Sequence, residues 1–188
     1  MKTTRATLFR APLLLFLAAG CARGQAPSSA ASASEPIGVQ LLFHADTGGL
    51  SGADRAAVYA ALGLVPSPDS THLVDGVCGQ RADAWLDYPD LNGDGTPEVR
   101  AGWGNACLSG HAGTSVSVFV VVDGRYRPQL GFPALSAEPL DTGNLGYPDL
   151  LIGGPGFCFP VYRWNGTEYI HLRDEPQEPG GCDRGPAA

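Results

Sequence analysis

Side-chain oxygens recur at alternate positions of one short acidic stretch, residues 88–98 (YPDLNGDGTPE). They belong to Asp90, Asn92, Asp94 and Glu98, and Thr96 would add its backbone carbonyl. Calcium takes six to eight oxygen ligands, often from alternate positions of a tight acidic loop, whereas magnesium keeps more of its waters. Two glycines within the stretch allow the sharp turns that such a loop needs. These five residues are therefore a predicted Ca²⁺ site.

The spacing differs from that of an EF-hand. An EF-hand has a glutamate at position 12 of its loop, and this chain has Ala101 there. Pro97 and the β-forming residues after it disfavour an exiting helix, whereas Glu98, at position 9, is placed to close the loop. The alternative is an acidic turn without an ion. Its carboxylates would repel one another, with only Arg100 nearby to neutralise them.

The pattern D-x-N-G-D-G-x-x-E, which runs into apolar residues, resembles the calcium loops of FG-GAP and VCBS-type repeats, the repeats of integrin-like propellers. In that family the loop joins two strands, and its first, third, fifth and ninth residues bind calcium. The resemblance implies the same role for Asp90, Asn92, Asp94 and Glu98. Residues 146–169 (GYPDLLIGGPGFCFPVYRWNGTEY) also resemble a segment of uncharacterised exported bacterial proteins that carry a DLNGDGxPE loop.

An internal repeat contains the loop. Residues 90–107 align with residues 141–158, which pairs Asp90 with Asp141, Pro97 with Pro148, Glu98 with Asp149 and Cys107 with Cys158. In the second copy Gly143 and Leu145 replace two of the ligands, so that one calcium site is predicted and not two. Asp141 and Asp149 are then expected to cap turns by accepting hydrogen bonds from backbone amides.

The N-terminal residues resemble a bacterial lipoprotein signal. Three basic residues precede a short apolar core at residues 12–19, which is too short to span a membrane. Residues 17–21 (LAAGC) resemble the lipobox, in which the cysteine is lipidated and becomes the mature N-terminus. We therefore expect a signal peptide over residues 1–20, lipidation of Cys21 and a flexible tether over residues 21–36. The alternative is an ordinary signal peptide with an incidental cysteine.

Location and charge limit the partners. The lipid on Cys21 would anchor the chain to a membrane, and Ala22 after it favours the outer membrane over the inner one. The full chain has 12 basic and 19 acidic side chains, and removal of residues 1–20 takes away three basic ones, which leaves a formal charge of −10. Such a charge excludes nucleic acid as a partner, because phosphates attract clustered positive charge.

Four cysteines follow Cys21: Cys78, Cys107, Cys158 and Cys182. An even number in an exported chain predicts two disulfides, but the sequence leaves three pairings open. If the two copies of the repeat pack side by side, Cys107 would reach Cys158. Cys78 would then join Cys182 and hold the tail at residues 175–188. The pairing of Cys78 with Cys107 competes closely with this arrangement.

Local signals predict a mainly β fold with one N-terminal helix, an α+β domain over residues 37–174. Residues 38–44 (GVQLLFH) indicate a strand, and Ser51 begins a helix of about three turns that ends near Gly63. Asp-Gly at 123–124 and Asn-Gly at 165–166, between β-forming runs, predict two hairpins. The resemblance adds a small antiparallel sheet assembly of two FG-GAP-like units, too few to close a propeller.

No catalytic pattern is evident in the sequence. It contains neither G-x-S-x-G nor H-E-x-x-H, and Cys107 near His111 is better explained by a disulfide beside a loop histidine. A non-enzymatic binding or structural role in the cell envelope is the leading hypothesis. A hydrolase that uses carboxylates is the alternative. The tryptophans and tyrosines suit a protein or carbohydrate partner, although most are expected in the core.

Overall fold

The computed structural model describes residues 34–183, which fold mainly as antiparallel β-sheet. The helices are α1 (Ile37–Leu42), α2 (Gly52–Ala61) and α3 (Ala106–Ser109), with 3-10 turns at Gly110–Ala112 and Gly181–Asp183. The strands are β1 (Leu64–Pro66), β2 (Leu73–Asp75), β3 (Asp83–Asp87), β4 (Val99–Gly104), β5 (Ser115–Val122), β6 (Arg125–Pro128), β7 (Phe132–Pro133), β8 (Ser136–Asn144), β9 (Tyr147–Gly153), β10 (Cys158–Trp164) and β11 (Tyr169–Pro176). The mainly β class is confirmed. The single N-terminal helix is wrong, because these residues contain three α-helices.

Helix α2 begins and ends where the sequence predicts. The Ser51 hydroxyl accepts the backbone N–H of Asp54 at 3.2 Å, which satisfies a free donor of the first turn. The helix ends at Ala61, and Gly63 follows with φ +66°, a conformation that glycine adopts without strain.

Helix α1 replaces the strand predicted over residues 38–44. Val39, Leu42 and Phe43 are all buried, and their spacing of three and four residues puts them on one face of a helix. A short apolar run fits a strand or a buried helix equally well by its pattern alone. Packing of this face against the core therefore decided the outcome.

Two four-stranded antiparallel meanders make up most of the fold. The first meander is β3–β4–β5–β6 and the second meander is β8–β9–β10–β11, each with strands adjacent in chain order. Strand β7 pairs with β5, and β1 and β2 form a separate two-stranded sheet. Each copy of the sequence repeat contains the second strand of its meander, β4 or β9. The repeat in the sequence therefore corresponds to a repeat in the topology.

Both predicted hairpins are present, with different turns. Asp123 (φ +52°) and Gly124 (φ +70°) form the two-residue turn between β5 and β6, as an Asp-Gly pair predicts. The hairpin of β10 and β11 has a four-residue connection instead, because Trp164 pairs with Tyr169. The side-chain oxygen of Asn165 organises it by accepting the backbone N–H groups of Thr167 and Glu168, each at 2.9 Å.

Strand β5 lies between two parts of the hydrophobic core. Val116, Val118 and Val120 pack with residues of the second meander, among them Leu150. Phe119 belongs to the other part, which includes the buried residues of α1 and α2. A strand covered on both faces favours an uninterrupted apolar run, and β5 has one from Val118 onward, whereas Ser115 and Ser117 are buried polar residues of its first half.

Two disulfides join Cys78 to Cys107 and Cys158 to Cys182, which confirms the predicted number of bridges. The side-by-side pairing of Cys107 with Cys158 is wrong, and so is that of Cys78 with Cys182. Of the predicted pairs, only the competing one, Cys78 with Cys107, is present.

Local contacts explain this pairing. The Asn105 side-chain amide donates to the Asp75 carboxylate at 2.8 Å, which brings the turn that carries Cys78 against α3 and Cys107. Strand β11 returns along β10, so that the tail with Cys182 reaches the start of β10. Each bridge therefore closes the region of its own meander.

Several sequence predictions fall outside residues 34–183. The signal peptide, lipidated Cys21 and the tether up to residue 33 lie there, as do tail residues 184–188. The last residues of the predicted tether, 34–36, belong to the described part, and Glu35 accepts a hydrogen bond from the Arg55 side chain at 2.8 Å. Within the described residues, no helix is both long and apolar enough to cross a membrane.

We expect the double substitution Cys78→Ser/Cys107→Ser to lower the free energy of unfolding by about 2–5 kcal/mol, because it releases a closed loop in the unfolded chain. Cys158→Ser/Cys182→Ser is the matched control, since the two bridges span similar separations of 29 and 24 residues. Urea unfolding measures both losses. A peptide map of the unreduced chain that links Cys107 to Cys158 would contradict the pairing.

Candidate metal centre

The predicted metal loop connects β3 to β4 and is held by its own backbone amides. The Asp90 carboxylate accepts the N–H groups of Asp94 at 3.1 Å and Gly95 at 3.0 Å. Gly93 and Gly95 have φ of +73° and +85°, a backbone conformation that residues other than glycine rarely adopt. The glycines thus let the chain wrap around the Asp90 carboxylate.

Asn92 and Asp94 lie against each other within the loop. The Asn92 amide nitrogen donates to the Asp94 carboxylate at 2.8 Å, and the Thr96 N–H donates to the same carboxylate at 2.7 Å. The hydrogen bonds from Thr96 and Asn92 hold the pKa of Asp94 below its usual value. Asp94 is therefore an exposed carboxylate that stays ionised.

Glu98 differs from the other acids of the loop because its side chain is only 1% exposed. One carboxylate oxygen, Oε2, accepts the backbone N–H of Leu91 at 2.8 Å. The other, Oε1, accepts the Tyr147 hydroxyl at 3.0 Å. Burial raises the pKa of Glu98 above its usual value, in spite of these two hydrogen bonds, and the carboxylates of Asp94 and Asp90 raise it further.

No arginine neutralises these carboxylates within residues 34–183. Arg100, the nearest cation in the sequence, instead forms a two-pronged ion pair with Asp87 and donates to the carbonyl of Ala137 at 3.0 Å. No ion pair reaches Asp90, Asp94 or Glu98 in this part of the chain. The loop therefore concentrates negative charge around a buried carboxylate.

In the second copy of the repeat, an arginine neutralises the buried carboxylate. Asp149, which aligns with Glu98, is fully buried and accepts two hydrogen bonds from Arg163, each at 2.8 Å. The Thr142 hydroxyl adds a third at 2.6 Å. These bonds, first those of Arg163, hold the pKa of Asp149 low. The expectation that Asp149 caps a turn through backbone amides is wrong, because the hydrogen-bond donors to its carboxylate are side chains. Asp141 is an exposed residue of β8.

The position of Arg163 has an apolar counterpart in the first copy. The register of β10 with β9 continues to place Arg163 opposite Asp149, and the register of β5 with β4 continues to place the buried Val120 opposite Glu98. The first meander thus lacks the cation that the second meander provides. Sequence analysis missed Arg163, although the repeat itself held the signal: a charged residue in one copy against an apolar one in the other.

The chemistry of the loop fits a hard cation. Its donors are carboxylate, amide and carbonyl oxygens, which calcium prefers. Each Asp90 oxygen accepts one N–H and keeps a further lone pair, since a carboxylate has about four acceptor sites. Within residues 34–183, no three Asp, Glu, His or Cys side chains already converge as a metal cluster. The loop residues therefore fit calcium by donor type. In this structure hydrogen bonds connect them to one another.

Other parts of the described chain offer less for chemistry. One cleft of about 400 Å³ is lined by His44, His72, Arg81 and Asp83 among others, and none of the predicted site residues lines it. Cys107 is in a disulfide, so the thiol–imidazole pair with His111 does not exist. Most of the aromatic residues that could line a binding surface are core residues, as expected: Trp103, Tyr147, Trp164 and Tyr169 are at most 9% exposed.

Neither a scan of protein-family models nor a search of curated proteins finds a match to this chain. The assignment of function therefore depends on the geometry of the loop and on the repeat.

We expect Arg163→Met to lower the free energy of unfolding at pH 7, because it leaves the buried Asp149 carboxylate without its main partner. Arg163 lowers the folded-state pKa of Asp149, so the stability of the pair is present above the carboxyl's ordinary pKa of 3.8 and is lost as the pH falls through the lowered value. The difference between the two chains should shrink as the pH is lowered from 7 to 3.

Urea unfolding across this pH range measures the difference. Arg173→Met is the matched control, since the nearest Arg173 nitrogen lies 3.9 Å from Asp149 and the side chain is 41% exposed. A smaller loss is expected for it. Equal losses for the two variants at every pH would contradict the assignment.

Proposed function

We propose that this protein is an envelope-anchored, calcium-binding lipoprotein with a non-enzymatic binding or structural role. Calcium would bind the loop of the first meander, and the lipid on Cys21 would hold the chain at a membrane. In this proposal calcium stabilises the folded domain and takes no part in a reaction.

The buried, uncompensated carboxylate of Glu98 carries the proposal. Burial of an ionised group is unfavourable unless an opposite charge or a metal accompanies it. Asp149, at the equivalent position, has Arg163 for this purpose. Glu98 has only two neutral donors within the described chain, with Asp90 and Asp94 nearby. A divalent cation would supply the missing positive charge.

The residues that would hold calcium are those of the loop: Asp90, Asn92, Asp94, the carbonyl of Thr96, and Glu98. Calcium would neutralise the mutual repulsion of the carboxylates. The backbone hydrogen bonds to Asp90 and Asp94 already hold the loop in a turned conformation, so that little of it has to be ordered on binding. The resemblance to FG-GAP and VCBS-type loops supports the same set of ligands.

The envelope location is supported by the sequence features at residues 1–36 and by the two disulfides, which persist in oxidising compartments. The negative charge supports a protein or carbohydrate partner over a nucleic acid. The hydrolase alternative gains no observation in its favour. Glu98, whose pKa is raised, is buried under Tyr147 and lines neither the cleft beside His44 nor those beside Asp141 and Tyr126.

We expect calcium to raise the melting temperature of the chain and Asp94→Asn to remove most of this effect. At one hundred times Kd, a ligand of the folded state adds about 2.7 kcal/mol, which corresponds to about 5–10 °C for a domain of this size. Thermal melts in calcium and in excess chelator measure the shift. Asp123→Asn is the matched control, because it removes one exposed charge and leaves an Asn-Gly turn.

If calcium does not shift the unaltered chain, the loop is an acidic turn and the proposal fails. An equal reduction of the shift in Asp123→Asn would indicate a general effect of charge and not a site.

We expect Glu98→Gln to alter the pH dependence of stability in chelator. The folded-state pKa of Glu98 is raised above 4.5. Its contribution to stability is therefore fully present below pH 4.5 and is lost as the pH rises through the raised value. Glutamine has no charge to bury, so the variant should lose less stability than the unaltered chain between pH 4 and pH 8, and calcium should no longer stabilise it. Parallel pH profiles in urea unfolding would argue against a buried charge.

A further inference from the structure

Tyr147 belongs to the second meander, yet its hydroxyl lies between two residues of the predicted metal loop. The hydroxyl donates to Glu98 Oε1 at 3.0 Å and accepts the side-chain N–H of Asn92 at 2.9 Å. These two loop residues are 49 and 55 positions away from it in the chain. A single hydroxyl thus uses both its donor and an acceptor site on the loop.

We propose that Tyr147 is a positioning residue of the calcium site, which it orients from the second meander through Glu98 and Asn92 without contacting the ion. The inference rests on the proposed function, since it concerns the affinity of the same site. It predicts that the site is complete only when the two meanders are packed together.

Glu98 is the first of the two loop residues that Tyr147 holds. Its carboxylate is held from both ends, by the N–H of Leu91 at 2.8 Å and by the hydroxyl of Tyr147 at 3.0 Å. These bonds use about half of its acceptor sites and prevent the carboxylate from turning. Outer-shell hydrogen bonds of this kind orient a ligand before the metal arrives. Without the hydroxyl, Oε1 would lose its only hydrogen-bond donor in the described chain.

Asn92 is the second loop residue that Tyr147 holds. Its side-chain amide has an oxygen end and a nitrogen end. The nitrogen donates to the Tyr147 hydroxyl at 2.9 Å, while the oxygen accepts the backbone N–H of Asp94 at 3.0 Å. The nitrogen also donates to the Asp94 carboxylate at 2.8 Å, and the two acceptors at the nitrogen end together fix the orientation of the whole amide. The oxygen, which is the end that a hard cation prefers, is thereby kept within the loop.

The ring of Tyr147 is held in place by its neighbours in the second meander. It packs against Trp164 and Tyr169, with centroid distances of 5.0 and 6.3 Å, and the residue is 9% exposed. A donor on a fixed ring is suited to hold a ligand in place.

Titration calorimetry measures calcium binding by the unaltered full chain, by Tyr147→Phe and by Tyr169→Phe. The conditions are chosen so that all three chains are folded before calcium is added. Tyr169→Phe is the matched control: it removes a hydroxyl from the same aromatic cluster, but that hydroxyl donates to the carbonyl of Pro148 at 3.0 Å and not to the loop. Tyr147→Phe should raise Kd roughly 10- to 100-fold, as the loss of an outer-shell partner does, and Tyr169→Phe about twofold or less.

An unchanged Kd in Tyr147→Phe, with binding by the unaltered chain, overturns the inference and leaves the proposed function intact. An equal rise in both variants also overturns it, because the effect would then come from general loosening of the cluster. If the unaltered chain does not bind calcium, the proposed function fails, and the inference fails with it.

A second measurement needs no substitution and therefore applies even if Tyr147→Phe does not fold. Carbon-13 NMR of the chain labelled at tyrosine Cζ, with the signals assigned through the backbone, follows the phenol groups during a calcium titration. Calcium at Glu98 would weaken the hydrogen bond that the Tyr147 hydroxyl donates, so the Tyr147 signal should shift more than that of Tyr169. A Tyr147 signal that does not move at saturating calcium contradicts the inference.

Discussion

A buried carboxylate just before β4 is the constraint around which the two meanders are arranged. Glu98 accepts a backbone N–H from its own loop and a hydroxyl from the second meander. Neither partner carries a charge, and burial raises the carboxyl's pKa. The residue is followed at once by the fully buried Val99, so the charge lies at the border of the hydrophobic core. An ionised carboxylate in this position is unfavourable unless a positive charge accompanies it.

The two copies of the repeat differ in what surrounds the buried carboxylate. In the second copy, Arg163 reaches across from β10 to β9 and compensates Asp149 permanently. In the first copy the residue opposite Glu98 is Val120, and the loop adds negative charge through Asp90 and Asp94. Gly143 and Leu145, which stand where the first copy has predicted ligands, lie in the same copy as Arg163. In the proposed function an external cation would do for Glu98 what Arg163 does for Asp149.

The covalent bridges follow the same division. Cys78–Cys107 ties the turn after β2 to α3, and Cys158–Cys182 ties the tail to β10. Neither bridge crosses from one meander to the other, so noncovalent contacts hold the meanders together. These contacts include the apolar packing of β5 against the second meander, the hydroxyl of Tyr147, and the hydrogen bond from Arg100 to the carbonyl of Ala137.

The sequence by itself determined the features that depend on local interactions. Ser51 and Asp54 specify the start of α2, Asp123-Gly124 specifies a tight turn, and the repeat marks two units of the same topology. The tertiary structure alone decided the rest. It made residues 37–42 a helix through burial of one face, and it paired Cys78 with Cys107 through a contact between Asn105 and Asp75. It also brought Tyr147 to the loop and Arg163 to Asp149. These outcomes depend on residues that meet only after the strands have paired, and no local pattern encodes such distances.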